Sequence, residues 1–346
     1  MDTKKPTNIK DVARVAGVSI ATVSRALSSP ELLTENTRET VLRAIRDTGY
    51  RANRSARNLR KQSAGAALIL VPDLKNPFFS EILAGLNNVF RREGLSVLVT
   101  DTSQGVKTHE SWVDYFLDGR IDGMVSLDGA LSPSQLEEFE KNNVMDRIVF
   151  ACEWIQGEDL PSIRSDNAKG ARLAIRHLYE LGHRKIAHIT GPAGNVLTEV
   201  RREAMLAERS ALALPMKDEW VIRGDFSIES GTVAARKLVE MEDRPTAVFC
   251  ASDMIAFGLI FELEKLGLKV PHDISVVGFD DIEMAAFSRP SLTTIRQNRT
   301  LLGARAAEHL SERLLSGTAP KDNKIELIDV ELVVRESTAP LAGTDA

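Results

Sequence analysis

Cysteine is nearly absent from this chain: two residues in 346, Cys152 and Cys250, lie far apart and form no CxxC. That excludes a disulfide scaffold. With no histidine at metal-finger spacing it also argues against a zinc site, so neither a metal nor another cofactor is expected. Aromatic residues make up only 5% of the chain. No apolar run approaches the roughly 20 residues of a membrane-spanning helix. Met1 to Lys10 is polar and basic with no apolar stretch behind it, so no secretory leader is expected and the chain reads as cytoplasmic. Hydrophobic residues are not scarce, at 43% against 27% charged, which excludes intrinsic disorder and low complexity. The length suits about two domains of ~150 residues with a small appendage.

The formal charge of −5 is unevenly spread: residues 1–62 carry +7 and the remainder −12. A basic segment on an acidic body suggests that one end meets a polyanion. That segment is patterned. Ile9, Val12, Ala13 and Ala16 recur at helical spacing before Gly17, which can supply a left-handed helix stop. Ser19 can cap a second helix with Val23, Ala26 and Leu27 inward, and a third should run from Asn36 or Thr37 to Thr48 with Val41, Leu42 and Ile45 inward. The outward residues of the second helix are Ile20, Ala21, Thr22, Ser24 and Arg25, and with the cap Ser19 they are the candidate DNA contacts. Short side chains allow close approach to a major groove, hydroxyls can hold phosphates, and an arginine can bond guanine bidentately.

The block Asp11-Val12-Ala13, Ala16-Gly17-Val18-Ser19, Ala21-Thr22-Val23-Ser24-Arg25 resembles the DNA-binding signature of the LacI/GalR family of bacterial transcription regulators. The resemblance runs from about residue 7 to 338, and some segments, Arg223 to Glu229 and Thr246 to Gly258, look like its cytidine-repressor branch. It implies residues 1–50 as a helix-turn-helix domain, 51–62 as a hinge helix and 63–346 as a two-lobed effector-binding and dimerisation core. The hinge candidate has Arg51, Arg54, Arg57 and Arg60 with one large apolar residue, Leu59, and nothing in it could build a core. The resemblance implies DNA contacts from Asn53, Arg54, Ala56, Arg57, Leu59 and Arg60, with Leu59 wedged into a minor-groove step.

From Ala64 on, short apolar runs alternate with amphipathic helices, which implies an α/β fold of parallel sheets covered on both faces. Strand candidates are 66–71, 96–100, 123–127, 147–151, 185–189, 220–223, 247–251, 274–278 and 292–295. So many units favour two lobes, and the family's core, similar to periplasmic sugar-binding proteins, has that form. Ligands in such sheets sit beyond the carboxyl ends of strands. There lie Asn76-Pro77-Phe78-Phe79, Asp101 and Asp128 in the first lobe, and Gly191 to Arg201, Asp225-Phe226, Ser252-Asp253 and Phe279-Asp280 in the second. Aromatics, single carboxylates and an arginine suit a small polyhydroxy ligand. The resemblance implies effector contacts at Phe78, Phe79, Asn195, Leu197, Arg201, Phe226, Ser252, Asp253, Asp280 and, more weakly, Gln297, with Asp101 added from its strand-end position. The family usually has glycine three residues after the arginine, where this chain has Ala204. A sugar, a polyol or a nucleoside all fit this pattern.

The competing class is an α/β enzyme acting on a sugar or nucleoside, since fold does not settle function. The sequence has no GxxxxGK[ST], no GxGxxG after a strand, no GxSxG and no HExxH, and its six histidines are scattered. A periplasmic binding protein would lack the amino-terminal DNA block. The expectation is a repressor that binds a palindromic operator as a homodimer under control of a small effector. The end of the chain from Glu336 has no apolar heptads, so a dimer and not a tetramer is expected.

Overall fold

The computed structural model describes residues 7–50, 63–103, 111–158, 160–316 and 325–341. By contact density the chain divides into one unit of residues 1–64 and another of 65–346.

The first unit holds α1 (Ile9–Ala16), α2 (Ile20–Ser28) and α3 (Glu35–Thr48). Asn8 caps α1 in a reciprocal box with Asp11, and Gly17 ends it at φ 66°, a left-handed conformation that a side chain would strain. The buried core is Val12, Ala13, Val23, Ala26, Val41 and Ala44. Three alanines among six residues let three short helices approach closely around little apolar volume. The helix predicted to start at Asn36 or Thr37 begins at Glu35.

The second unit contains two six-stranded sheets. In the first lobe run β1 (Ala66–Val71), α4 (Phe78–Arg92), β2 (Ser96–Asp101), α5 (Trp112–Leu117), β3 (Gly123–Ser126), α6 (Pro133–Lys141), β4 (Ile148–Ala151) and β5 (Ser162–Ser165). The second lobe follows with α7 (Asn167–Glu180), β6 (Ile186–Ile189), α8 (Val196–Ala211), β7 (Val221–Ile222), α9 (Ile228–Glu240), β8 (Ala247–Cys250), α10 (Asp253–Lys265), β9 (Ser275–Asp280), α11 (Met284–Phe287) and β10 (Thr293–Gln297). The chain then returns to the first lobe with α12 (Arg299–Ser316) and β11 (Ile325–Ile328), and ends in the second with β12 (Val330–Val333). The orders are β11-β5-β4-β3-β1-β2 and β12-β10-β9-β8-β6-β7. Every pairing is parallel except that of β10 with β12. All six residues of β1 are buried, as a strand covered by helices on both faces must be.

All nine predicted strands are present, with ends shifted by a few residues. Three more were not foreseen: β5, β11 and β12. They matter because the chain changes lobe beside them, between β5 and α7, between β10 and α12, and between β11 and β12. The crossovers are tied together, since Asp166 N–H donates to the Ile328 carbonyl (2.9 Å) and Lys169 pairs with Asp329 (2.5 Å). The return of α12 onto α4 depends on glycine at two facing positions. A Cβ on Gly85 would overlap the Thr300 carbonyl, and one on Gly303 the Ile82 carbonyl. Among the described residues no helix is long and apolar enough to cross a membrane.

Candidate functional site

The helical unit exposes one side of α2 to solvent. Ser19 Oγ accepts the Thr22 N–H (3.1 Å) and bonds the Thr22 hydroxyl (2.9 Å), fixing the start of α2. The helix faces inward through Val23 and Ala26. Outward it turns Ile20, 43% exposed despite being large and apolar, together with exposed Ala21 and Arg25, while Thr22 and Ser24 are half-buried. Exposed Ile20 and Ala21 at the capped helix start, with exposed Arg25 in the last turn, offer an apolar contact, backbone N–H groups and a bidentate donor. The hinge candidates Asn53, Arg54, Ala56, Arg57, Leu59 and Arg60 lie outside the described residues.

A cavity of about 730 Å³ opens where the carboxyl ends of strands from both lobes face each other. Loops after β1, β3 and β4 form one wall, and those after β6, β7 and β8 the other. Phe79, Glu153 and Trp154 come from the first lobe, Asn195 and Phe226 from the second. Phe79 stands at the start of α4 with its ring edge-on to buried Phe78 (5.1 Å, 79°). Phe226 sits at φ 67°, a left-handed backbone that costs a side-chain-bearing residue about 1–3 kcal/mol. The turn is secured by Asp225, which accepts the Ser227 N–H (3.0 Å) and hydroxyl (2.5 Å).

Glu153 and Asn195 join the lobes. Asn195 Oδ1 caps α8 by accepting the N–H groups of Leu197 (2.9 Å) and Thr198 (3.2 Å), while its Nδ2 donates to Glu153 Oε1 (2.7 Å). The other Glu153 oxygen accepts the Gly129 N–H (3.1 Å). Glu153 is only 7% exposed. Burial pushes its pKa up to about 7 against the pull of these two bonds, with Asp128 adding to the rise and Arg201 opposing it.

Behind the cavity lies a packed polar layer. Arg201, buried on α8, donates to Asn167 Oδ1 (2.9 Å) and the Ala251 carbonyl (2.5 Å), and its guanidinium lies 3.8 Å over the Phe279 ring. Asp280 accepts from Gln297 Nε2 (2.7 Å); burial lifts its pKa to about 6, opposed first by the charge of Arg201. Asp253 accepts the Ile282 N–H (2.9 Å) and the Thr294 hydroxyl (2.5 Å), and burial holds its carboxyl well above the usual range. Ser252 caps α10 through the Ile255 N–H (3.2 Å).

Of the predicted effector residues, then, Phe79, Asn195 and Phe226 line the cavity. Arg201, Ser252, Asp253 and Asp280 belong to the layer beneath, and Gln297, bonded to Asp280, lines a second cavity of about 480 Å³ with Asp281, Arg296 and Arg299. Phe78 and Leu197 are buried in the first lobe's core cluster, which Leu197 enters from across the lobe boundary. Asp101, at the end of β2, accepts the Leu74 and Ser103 N–H groups (2.9 and 2.8 Å), so it braces the loop after β1. Sequence reasoning missed Glu153 and Trp154. They follow β4, whose position was predicted, so the strand-end rule that singled out Asp128 would have reached them. Among the described residues no group of His, Cys, Asp and Glu is arranged to hold a metal.

Residues 8–53 match the family of bacterial regulatory proteins, lacI family, and residues 175–338 match the periplasmic binding protein-like domain. The chain is 35% identical to the HTH-type transcriptional repressor CytR of Escherichia coli K12 over 333 residues, 96% of each chain. It is 33% identical to the repressor PurR of Actinobacillus pleuropneumoniae, covering 96% of this chain and 98% of that one. Among solved structures, the lac repressor dimer bound to operator and an anti-inducer superposes with a TM-score of 0.82 at 28% identity, over 97% of this chain and 100% of the other. A complex of the regulator CelR with cellobiose gives 0.72 at 28% identity, over 96% and 100%.

Proposed function

The chain belongs to the lacI family of bacterial regulatory proteins, and from that membership we propose that it is a transcriptional repressor binding a palindromic operator as a homodimer under control of a small effector. The observation that carries the reading is the pairing of two units. One is a helical unit whose capped α2 exposes Ile20, Ala21 and Arg25; the other is a body with a cavity between its lobes. One such helix reads only a few base pairs, so two copies on inverted half-sites supply specificity. Residues 1–50 act as the reading domain, 51–62 as the hinge that places Leu59 in the minor groove, and 63–346 as the effector-binding and dimerisation core. The protein works in the cytoplasm and turns over no ligand.

The second copy docks on the apolar surface formed by Phe261 (60% exposed), Met284 (57%) and Phe287 (70%) of the second lobe. Effector binding stabilises one arrangement of the lobes, and operator affinity follows from which arrangement the hinges tolerate. In vitro selection from random DNA with the full-length protein should return two inverted half-sites. A single half-site bound by a monomer would overturn the dimer, and turnover of a sugar or nucleoside by purified protein would revive the enzyme.

A further inference from the structure

Resting on the reading of the inter-lobe cavity as the effector site, we infer that its effector is an organic cation: a compact amine, amidine or ammonium compound held between carboxylates and aromatic faces. Among the described residues five carboxylates line the cavity, Asp73, Asp128, Glu153, Asp225 and Glu229, against one cationic side chain, Lys75. Among the described residues none of the five enters an ion pair, whereas Glu208, Glu262, Asp281 and Glu326 are each paired with an arginine. The cavity carboxylates meet neutral donors instead. Asp73 accepts the Lys75 N–H (2.9 Å), and Asp128 accepts the Ala130 N–H (2.8 Å) and the Thr102 hydroxyl. Such donors orient a carboxylate without neutralising it. Unpaired like charges converging on one concave space repel anions and attract cations.

Two further features point the same way. Phe79, Trp154 and Phe226 line the same space, and ring faces attract cations, as the Arg164 guanidinium 4.0 Å over the Trp154 ring already shows. Arg201 is engaged by Asn167, the Ala251 carbonyl and the Phe279 ring, with its guanidinium 6.0 Å from the Phe226 ring of the cleft. Among the described lining residues, a phosphorylated or carboxylated ligand would meet five carboxylates and one cation, Lys75. A neutral polyol could donate to some of them and leave their mutual repulsion in place. Glu153, whose pKa is raised by burial and by Asp128 and opposed by Arg201, is the innermost of the five, so a bound cation should pull its proton off.

The test titrates full-length protein at about pH 8, where Glu153 is mostly ionised. The ligands are benzamidine with its isosteres benzamide and benzoate, and choline with its uncharged tert-butyl isostere. Tryptophan fluorescence and calorimetry read binding. Both cations should bind at least about tenfold more tightly than their neutral isosteres, with no binding of benzoate. Near pH 7 cation binding should release protons, and Glu153→Gln should weaken the cations by about tenfold or more while its melting temperature shows it folded. Asp128→Asn gives a second, independent loss. The inference is overturned if benzamide or benzoate binds as well as benzamidine, if neither cation binds at millimolar concentration, or if both variants leave cation binding unchanged. A neutral sugar or nucleoside that binds the cleft and shifts operator affinity would sink this inference and leave the effector reading standing. A cation that occupies the cleft with no effect on operator binding would do the reverse.

Discussion

Replacing Glu153 by glutamine separates two opposed consequences of its position. The carboxyl ordinarily titrates near 4.5 and is raised to about 7 in the folded protein, chiefly by burial. A raised folded-state pKa means that the folded state binds the proton more tightly than the unfolded chain. The associated stability is fully present below about pH 4.5 and is lost as pH rises through about 7. At about 1.4 kcal/mol per pH unit, the interval is worth about 3 kcal/mol, paid above neutrality. Glutamine does not titrate, so Glu153→Gln lacks this loss. It also has one acceptor oxygen where the carboxylate offers two, so it cannot satisfy both the Asn195 amide and the Gly129 N–H, a deficit of about 1–3 kcal/mol. Below about pH 5 the variant should therefore be no more stable than the parent, and near pH 8 it should equal or exceed it. The stability difference between the two proteins should swing by about 3 kcal/mol across that range, or roughly 4–6 °C in melting temperature for a body of this size. Other titrating groups largely cancel because the comparison is a difference. Calorimetric or denaturant melts of both proteins from about pH 4.5 to 8.5 give the measurement. A difference that does not change with pH would show that Glu153 is not titrating in a buried site, and the cleft electrostatics would have to be redrawn.

Arg25→Ala should cost about 1–3 kcal/mol per half-site on cognate DNA and relax specificity at one symmetric position; equal weakening on scrambled DNA would make Arg25 a phosphate contact only. Phe287→Glu should push light scattering toward a monomer at micromolar concentration and abolish operator binding, since it sets a carboxylate on the proposed apolar dimer surface; an unchanged dimer would move the interface elsewhere. Asn195→Ser preserves a capping oxygen but removes the amide donor to Glu153, so it should lower stability by about 1–3 kcal/mol, more at high pH than at low; Asn195→Ala should lose about 1 kcal/mol more through the missing cap. Leu59→Ala, in the hinge candidate, should reduce operator bending in a gel-phasing assay and leave the α1–α3 unit folded.

What could be read from the sequence divides along a physical line. Local chemistry was legible. The Ser132-Pro133-Ser134-Gln135 box caps α6 with Pro133 at its first position, and Gly182 and Gly267 adopt φ 89° and 86° just beyond the ends of α7 and α10. Strands buried on both faces, such as Ala66–Val71, announce themselves as continuous apolar runs. Strands that owe their place to a distant partner do not. Ser162–Ser165 is polar and short, and it is a strand because it lies between β4 and β11, the latter more than 150 residues away. Its importance as a lobe crossover is a property of topology, invisible in its four residues. The cavity shows the same division. A motif identifies which residues surround a ligand site, but not whether a given side chain ends in the open space or one layer behind it. That depends on competition for hydrogen bonds, which pairs Arg201 with Asn167, Asp253 with Thr294, and Asp280 with Gln297, all contacts spanning 17 to 41 residues in sequence. The cavity charge follows from this sorting. With Arg201 bonded to Asn167 and Ala251, the carboxylates lining the cavity are left without an ion-pair partner among the described residues, so the acidic balance of the body is concentrated there.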